Sequence, residues 1–127
     1  MSDREGPLRV LRAVIDAMNS GANTAGLKNM TEKVVIIDDV PPFHRTGRHE
    51  AELWFRRLAV ARDRLDASLK LENADVRVED NRAYIVAPGI FTGMLEGAPV
   101  DVNGTITATL QHDGAWLVDG LVWSSKP

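Results

Sequence analysis

Val100-Asp101-Val102-Asn103-Gly104-Thr105-Ile106-Thr107-Ala108-Thr109-Leu110-Gln111 alternates apolar or small residues with polar ones along its whole length. A period of two is the mark of a strand with one face in a core and the other toward water. Val100, Val102, Gly104, Ile106, Ala108 and Leu110 form the inner set. Asp101, Asn103, Thr105, Thr107, Thr109 and Gln111 form the outer one. Residues 68–78, 83–95 and 115–125 also read as strands, and turn residues at Asp80-Asn81, Glu96-Gly97 and His112-Asp113-Gly114 separate the four segments. Short turns make a meander of hairpins the simplest topology.

Upstream of residue 67 the period is helical. Leu8, Leu11, Val14, Ile15 and Met18 share one helix face, with Pro7 in the first turn and Asn19-Ser20-Gly21 as the stop. Residues 22–30 offer a short second helix, although Gly26 and the Asn residues weigh against it. The β-branched run Lys33-Val34-Val35-Ile36-Ile37 predicts a strand that ends at Asp38-Asp39, with Pro41-Pro42 preventing further pairing. A long helix follows, capped by Thr46, with Ala51, Trp54, Phe55, Leu58, Ala61 and Leu65 as its core stripe. Glu52, Arg56, Arg57, Arg62 and Asp63 are its solvated face. Helices first and a meander afterwards predict an α+β fold: N-terminal helices on a strongly curved, mostly antiparallel sheet, with an apolar pocket between them.

The last segment carries apolar residues on both faces. Leu117, Asp119, Leu121 and Trp123 alternate with Trp116, Val118, Gly120 and Val122, and the first set is expected to face inward. The helices cover only one face, so a homodimer through the outer sheet face is expected.

Bulk composition narrows the function classes. The chain has 127 residues and a formal net charge of -3, which argues against nucleic-acid binding through a broad basic face. Zero cysteines exclude disulfides, thiolate metal sites and a cysteine nucleophile, and no histidine pair converges with a carboxylate, so no metal and no cofactor is expected. The polar opening from Met1 to Pro7 does not read as a secretory signal. No apolar run approaches the roughly 20 residues needed to span a bilayer, so no membrane partner is expected and the localisation is read as cytoplasmic. Neither a phosphate-binding glycine loop nor a Ser-His-Asp arrangement is legible.

Several features together resemble the nuclear transport factor 2-like superfamily: the helix-first layout, Asn19-Ser20-Gly21, the strand ending at Asp38, and Gly47 before the long helix. The run Gly104-Thr105-Ile106-Thr107-Ala108-Thr109-Leu110, followed by Asp113-Gly114-Ala115-Trp116 and Trp123-Ser124, adds to the likeness. Within the superfamily the chain is most similar to SnoaL-like and ketosteroid-isomerase-like members, as a single domain over residues 1–127. The resemblance implies a cone-shaped, cystatin-like fold around a cavity, commonly in a dimer. Ketosteroid isomerases use an aspartate at the end of the first strand as a base, with a tyrosine and a protonated aspartic acid as enolate donors. Asp38 matches the base, nine residues before Gly47. Val14 and Ile106 occupy the donor positions. The resemblance therefore implies a pocket that does not isomerise steroids by that mechanism. SnoaL-like cyclases use an acidic residue near the outgoing end of the last strand, and Ser124 stands about there.

The candidate catalytic residues are then Asp38, Asp119 and His44. An apolar wall disfavours an ionised carboxylate, which suits Asp38 for general-base work. Asp119 is a second carboxylate expected on the cavity face. His44 is placed to orient Asp38 or act as an acid, whereas His49 reads as a solvated loop residue. Val14, Phe43, Trp54, Tyr84, Ile106 and Trp123 are the candidate substrate-binding residues, with Phe91 a further aromatic. Two functions remain open: a cofactor-free isomerase, lyase or cyclase in which Asp38 moves a proton on a small apolar carbonyl compound, and a non-catalytic ligand-binding or dimerisation domain. A closed cavity of a few hundred cubic ångströms reached by Asp38 and Asp119 favours the enzyme. A cone filled by side chains removes its basis.

Overall fold

A computed structural model describes residues 4–126; the opening Met1-Ser2-Asp3 and Pro127 lie outside the described residues. Helix α1 (Glu5–Ser20) buries Pro7, Leu11, Val14, Ile15 and Ala17. It stops where Gly21 adopts a left-handed conformation, φ 81°, and donates its N–H to the Ala17 carbonyl. Helix α2 (Asn23–Lys28) is a short connector. Its Gly26 lets the Phe55 ring approach closely, since a Cβ there would lie 2.5 Å from Phe55 Cζ. Gly26→Ala is expected to lower stability by about 1–3 kcal/mol, the usual cost of overpacking, read from the urea midpoint.

Helix α3 (Arg48–Leu65) presents Ala51, Trp54 and Phe55 to the core, with Leu58 packed beside them. Its cap differs from the sequence reading. Thr46 belongs to a three-residue strand, Gly47 is the N-cap residue, and Glu50 Oε1 accepts the Thr46 N–H at 3.0 Å. The Glu50 side chain reaches back past the N-cap to the residue before it, so the acceptor comes from inside the helix.

The sheet has seven strands in the order β2-β1-β7-β6-β5-β3, with β4 also paired to β5. These are β1 (Met30–Ile37), β2 (His44–Thr46), β3 (Ser68–Leu71), β4 (Asp75–Glu79), β5 (Arg82–Leu95), β6 (Ala98–His112) and β7 (Trp116–Ser125). Strands β5, β6 and β7 form the expected meander. Three features depart from expectation. The segment 68–78 is two strands, because the chain leaves the ladder at Glu72–Ala74 between two stretches that both pair with β5. Strand β2 returns antiparallel to β1 despite Pro41-Pro42. Strand β1 runs parallel to β7, which extends the sheet around the helices.

Gly104, Ile106, Ala108 and Leu110 of β6 are buried as their alternation requires, under α1 and α3. Val100 and Val102 continue the same face but lie beyond the helical cover and are exposed.

Candidate functional site

At the outgoing end of β1, Asp38 is held from three sides. Its Oδ1 accepts Arg45 Nη1 at 2.8 Å and the Val40 N–H at 3.1 Å, and its Oδ2 accepts Trp54 Nε1 at 2.9 Å. The Arg45 and Asp38 side chains are only 6% and 10% exposed. Arg45 Nη2 also donates to the Val40 and Pro41 carbonyls at 3.5 and 3.4 Å, binding the loop to the ion pair. Strand register explains the arrangement. Arg45 pairs with the buried Ile36, and so occupies an inward position in which a charged side chain needs a partner. Asp38 supplies it.

His44 pairs with Ile37 and therefore lies on the outer face, away from the Asp38 carboxylate. The group that orients Asp38 is Arg45, which is not among the residues singled out from the sequence. What the sequence shows of it is only an arginine seven residues after a strand-end aspartate; its inward position comes from the pairing of β2 with β1.

The cavity under the helices is small, about 20 Å³, and partly open; its lining residues include Ile36, Trp54, Leu69, Ile106, Leu121 and Trp123. That is room for about one water, in a site with no polar lining to hold it. Ile106 and Trp123 are cross-strand partners, and Phe91 stands 6.2 Å from Trp123 between ring centroids. The sheet is cut to seat the indole: a Cβ at Gly104 would lie 2.6 Å from Trp123 Cη2, and one at Gly89 3.1 Å from its Cζ3. Trp54 touches both features, because its ring lines the cavity while its Nε1–H donates to Asp38. Asp38 itself does not line the cavity.

The other candidates fall elsewhere. Val14 is fully buried in the core without lining the cavity. Phe43 is more than half exposed in the β1–β2 loop, and Tyr84 points outward from β5. Asp119 is a correction to the inward assignment. The register of β7 on β6 shifts between Thr109 and Leu110, so Asp119 is the extra residue of a β-bulge. Val118 and Leu121 consequently both face the core, and Asp119 is turned to the outer face. There it accepts Thr109 Oγ1 at 2.6 Å and Arg82 Nη1 at 2.8 Å. The bond with Asp119 holds the Arg82 guanidinium above its ordinary pKa, with Tyr84 adding to the effect. Thus the structure gathers Trp54, Ile106 and Trp123 at one small cavity, ties Asp38 to its edge through Trp54, and does not bring Asp119 or His44 to it.

On the opposite side the strands build a surface that is uncharged at its centre and bordered by Asp75 and Arg77 of β4 and by the Asp119–Arg82 pair. Ile37, Val122, Thr107 and Val86 form one row across four strands, and Val35, Gly120, Thr109 and Tyr84 form the next. Ser124, Thr105 and Pro88 continue it. Tyr84 and Val86 are 44% and 48% exposed.

No protein-family model matches the chain, and no curated protein matches it in sequence. Solved structures do match its fold. An NTF2-like protein with a cystatin-like fold from Novosphingobium aromaticivorans superposes with a TM-score of 0.86 at 16% identity, over 97% of this chain and 81% of that one. The CaMKII hub of S. rosetta superposes at 0.84 and 15% identity, over 99% and 98% of the two chains. A ketosteroid isomerase-like protein from Erwinia carotovora atroseptica gives 0.77 at 13% identity, over 99% and 98%. Among the described residues no helix is long and apolar enough to cross a membrane. The helices on a curled, open, mostly antiparallel sheet are the cystatin-like fold of NTF2-like proteins.

Proposed function

We propose that this chain is a non-catalytic, cytoplasmic association domain that pairs with a second copy through the outer face of its sheet. The observation that carries this reading is the uncharged centre of the outer sheet face, Ile37, Val122, Thr107, Val86, Val35 and Tyr84, inside a charged border. Isolated exposed apolar residues need no explanation, but a contiguous patch marks an interaction site. A sheet face is also self-complementary across a two-fold axis. The filled cone and the engaged Asp38 support the reading from the other side, and a structural neighbour named as a hub is in keeping with it. Native mass spectrometry of the purified protein tests it. The expected result is a species of two or more chains without a small molecule; single chains each carrying one bound compound would overturn it.

A second reading has one observation in its favour, the wholly apolar cavity beside Trp123. Here a small apolar carbonyl compound would occupy a widened cone, and Asp38 would move its proton. Asp38 would first have to release Arg45 and Trp54. This reading expects Asp38→Asn to abolish turnover while sparing ligand binding.

A further inference from the structure

The β5–β6 hairpin outruns the rest of the sheet. Strand β3 last pairs with it at Ser68–Thr92, and β7 ends opposite Gly104. From Gly93 to Val102 the two strands pair only with each other. A two-stranded ribbon is marginal in water on its own, and this one carries an open apolar face. Leu95, Val100 and Val102 stand with Phe91 and the α3 residue Leu65 around a groove of about 140 Å³ with almost no polar lining. Leu95 is 54% exposed. The ribbon is also acidic: Glu96 and Asp101 are exposed, with no lysine or arginine between Gly93 and Asn103.

A second surface shows the opposite character. On the solvent side of α3, Leu53 and Val60 lie two turns apart and are exposed, Val60 by 59%. Arg57 lies between them in helical register and Arg64 lies beyond Val60, and both are exposed. Neither arginine forms an ion pair among the described residues, although Arg57 Nη1 reaches the Pro41 carbonyl at 3.5 Å. The helix holds five arginines against three acidic residues in a chain that is acidic overall.

We infer that these two surfaces are halves of one contact between copies: the Leu53–Val60 stripe of α3 from one protomer lies in the hairpin groove of the next. An amphipathic helix in an apolar groove is a standard mode of recognition. Arg57 and Arg64 then lie toward Glu96 at the tip of the ribbon, an arrangement that fixes register and disfavours other partners. The contact joins different patches, so it is heterologous and builds rings or filaments. It is independent of the sheet face, and together the two contacts give assemblies larger than a dimer.

Heterologous contacts have a distinctive test. Val86→Arg is placed in every variant to disable sheet pairing. Val60→Asp is then added to damage the helix half, or Leu95→Asp to damage the hairpin half. All three side chains are exposed, and far-UV circular dichroism checks that each variant folds. In sedimentation velocity each double variant is expected to run as a single chain. Their equimolar mixture retains one intact helix and one intact groove, and is expected to run as two chains, associating at least about tenfold more tightly than either variant alone. A mixture that stays at one chain overturns the inference. Self-association of the double variant Val86→Arg with Val60→Asp also overturns it, since that would mean hairpin pairing with hairpin. A charge-exchanged pair, Arg57→Glu with Arg64→Glu mixed with Glu96→Arg, must also associate when each fails alone. Loss of the sheet contact is read separately, from Val86→Arg against the unsubstituted chain.

Discussion

Asp38→Leu is expected to destabilise the fold by about 3–5 kcal/mol, a large share of the total stability of a domain this size. The substitution removes the partner of a guanidinium that is 6% exposed, and leaves Trp54 Nε1–H without an acceptor. An uncompensated buried charge costs more than the ion pair was worth, because its desolvation remains while the attraction is gone. Arg45→Met is expected to cost a similar amount for the mirror reason. The double variant Asp38→Leu with Arg45→Met is the informative one. With both charges gone, the part of the loss due to the stranded charge is expected to return, since a well-packed apolar pair often replaces a buried ion pair at little cost, while Trp54 Nε1–H stays without its acceptor. Urea denaturation of the four proteins measures the cycle. Near-additive losses would show that Asp38 and Arg45 act separately, contrary to the geometry.

Trp123→Ala is the second large effect, with a loss of about 3–5 kcal/mol. The indole packs on Ile106 and Phe91, and its seat is made by the glycines at 89 and 104. Because glycine carries no side chain, neither position can swing a neighbour into the vacated space. The cavity left is therefore expected to persist. Apolar cavities of that kind stay dry and take up small aromatic molecules. Raised thermal stability of Trp123→Ala in the presence of benzene, with no such rise in the unsubstituted protein, would confirm that the indole is what fills the cone. An equal benzene effect on both proteins would show that the cone is already open.

Much of the fold was legible because the governing signals are local. The alternation from Gly104 to Gln111 reports which side is covered, and Gly21 ends α1 by an ordinary left-handed cap. The parallel pairing of β1 with β7 was not legible, since nothing in Val34–Ile37 specifies a partner so distant in the chain. The error at Asp119 came from extending a period of two through a bulge. The signal was present as Asp119-Gly120 inside an otherwise apolar strand, where a glycine marks a bulge or a close approach. Here the Thr109 hydroxyl takes the space that a side chain at Gly120 would fill, with Oγ1 2.6 Å from the would-be Cβ. The same limit hid Arg45. Its role is set by the pairing of β2 with β1, and Pro41-Pro42 argued against that strand. The site was thus readable in its apolar members, Trp54, Ile106 and Trp123, and much less so in its charged ones. Charged positions depend on who stands across the ladder.

Pairing through the sheet face is tested most directly by sedimentation velocity on two proteins, Val60→Asp and the same chain with Val86→Arg added. The first keeps the sheet face as the intact surface for association, and the second places a guanidinium in the row Ile37, Val122, Thr107 and Val86. Two chains per particle for the first and one for the second is the expected result. An unchanged mass on adding Val86→Arg would contradict it.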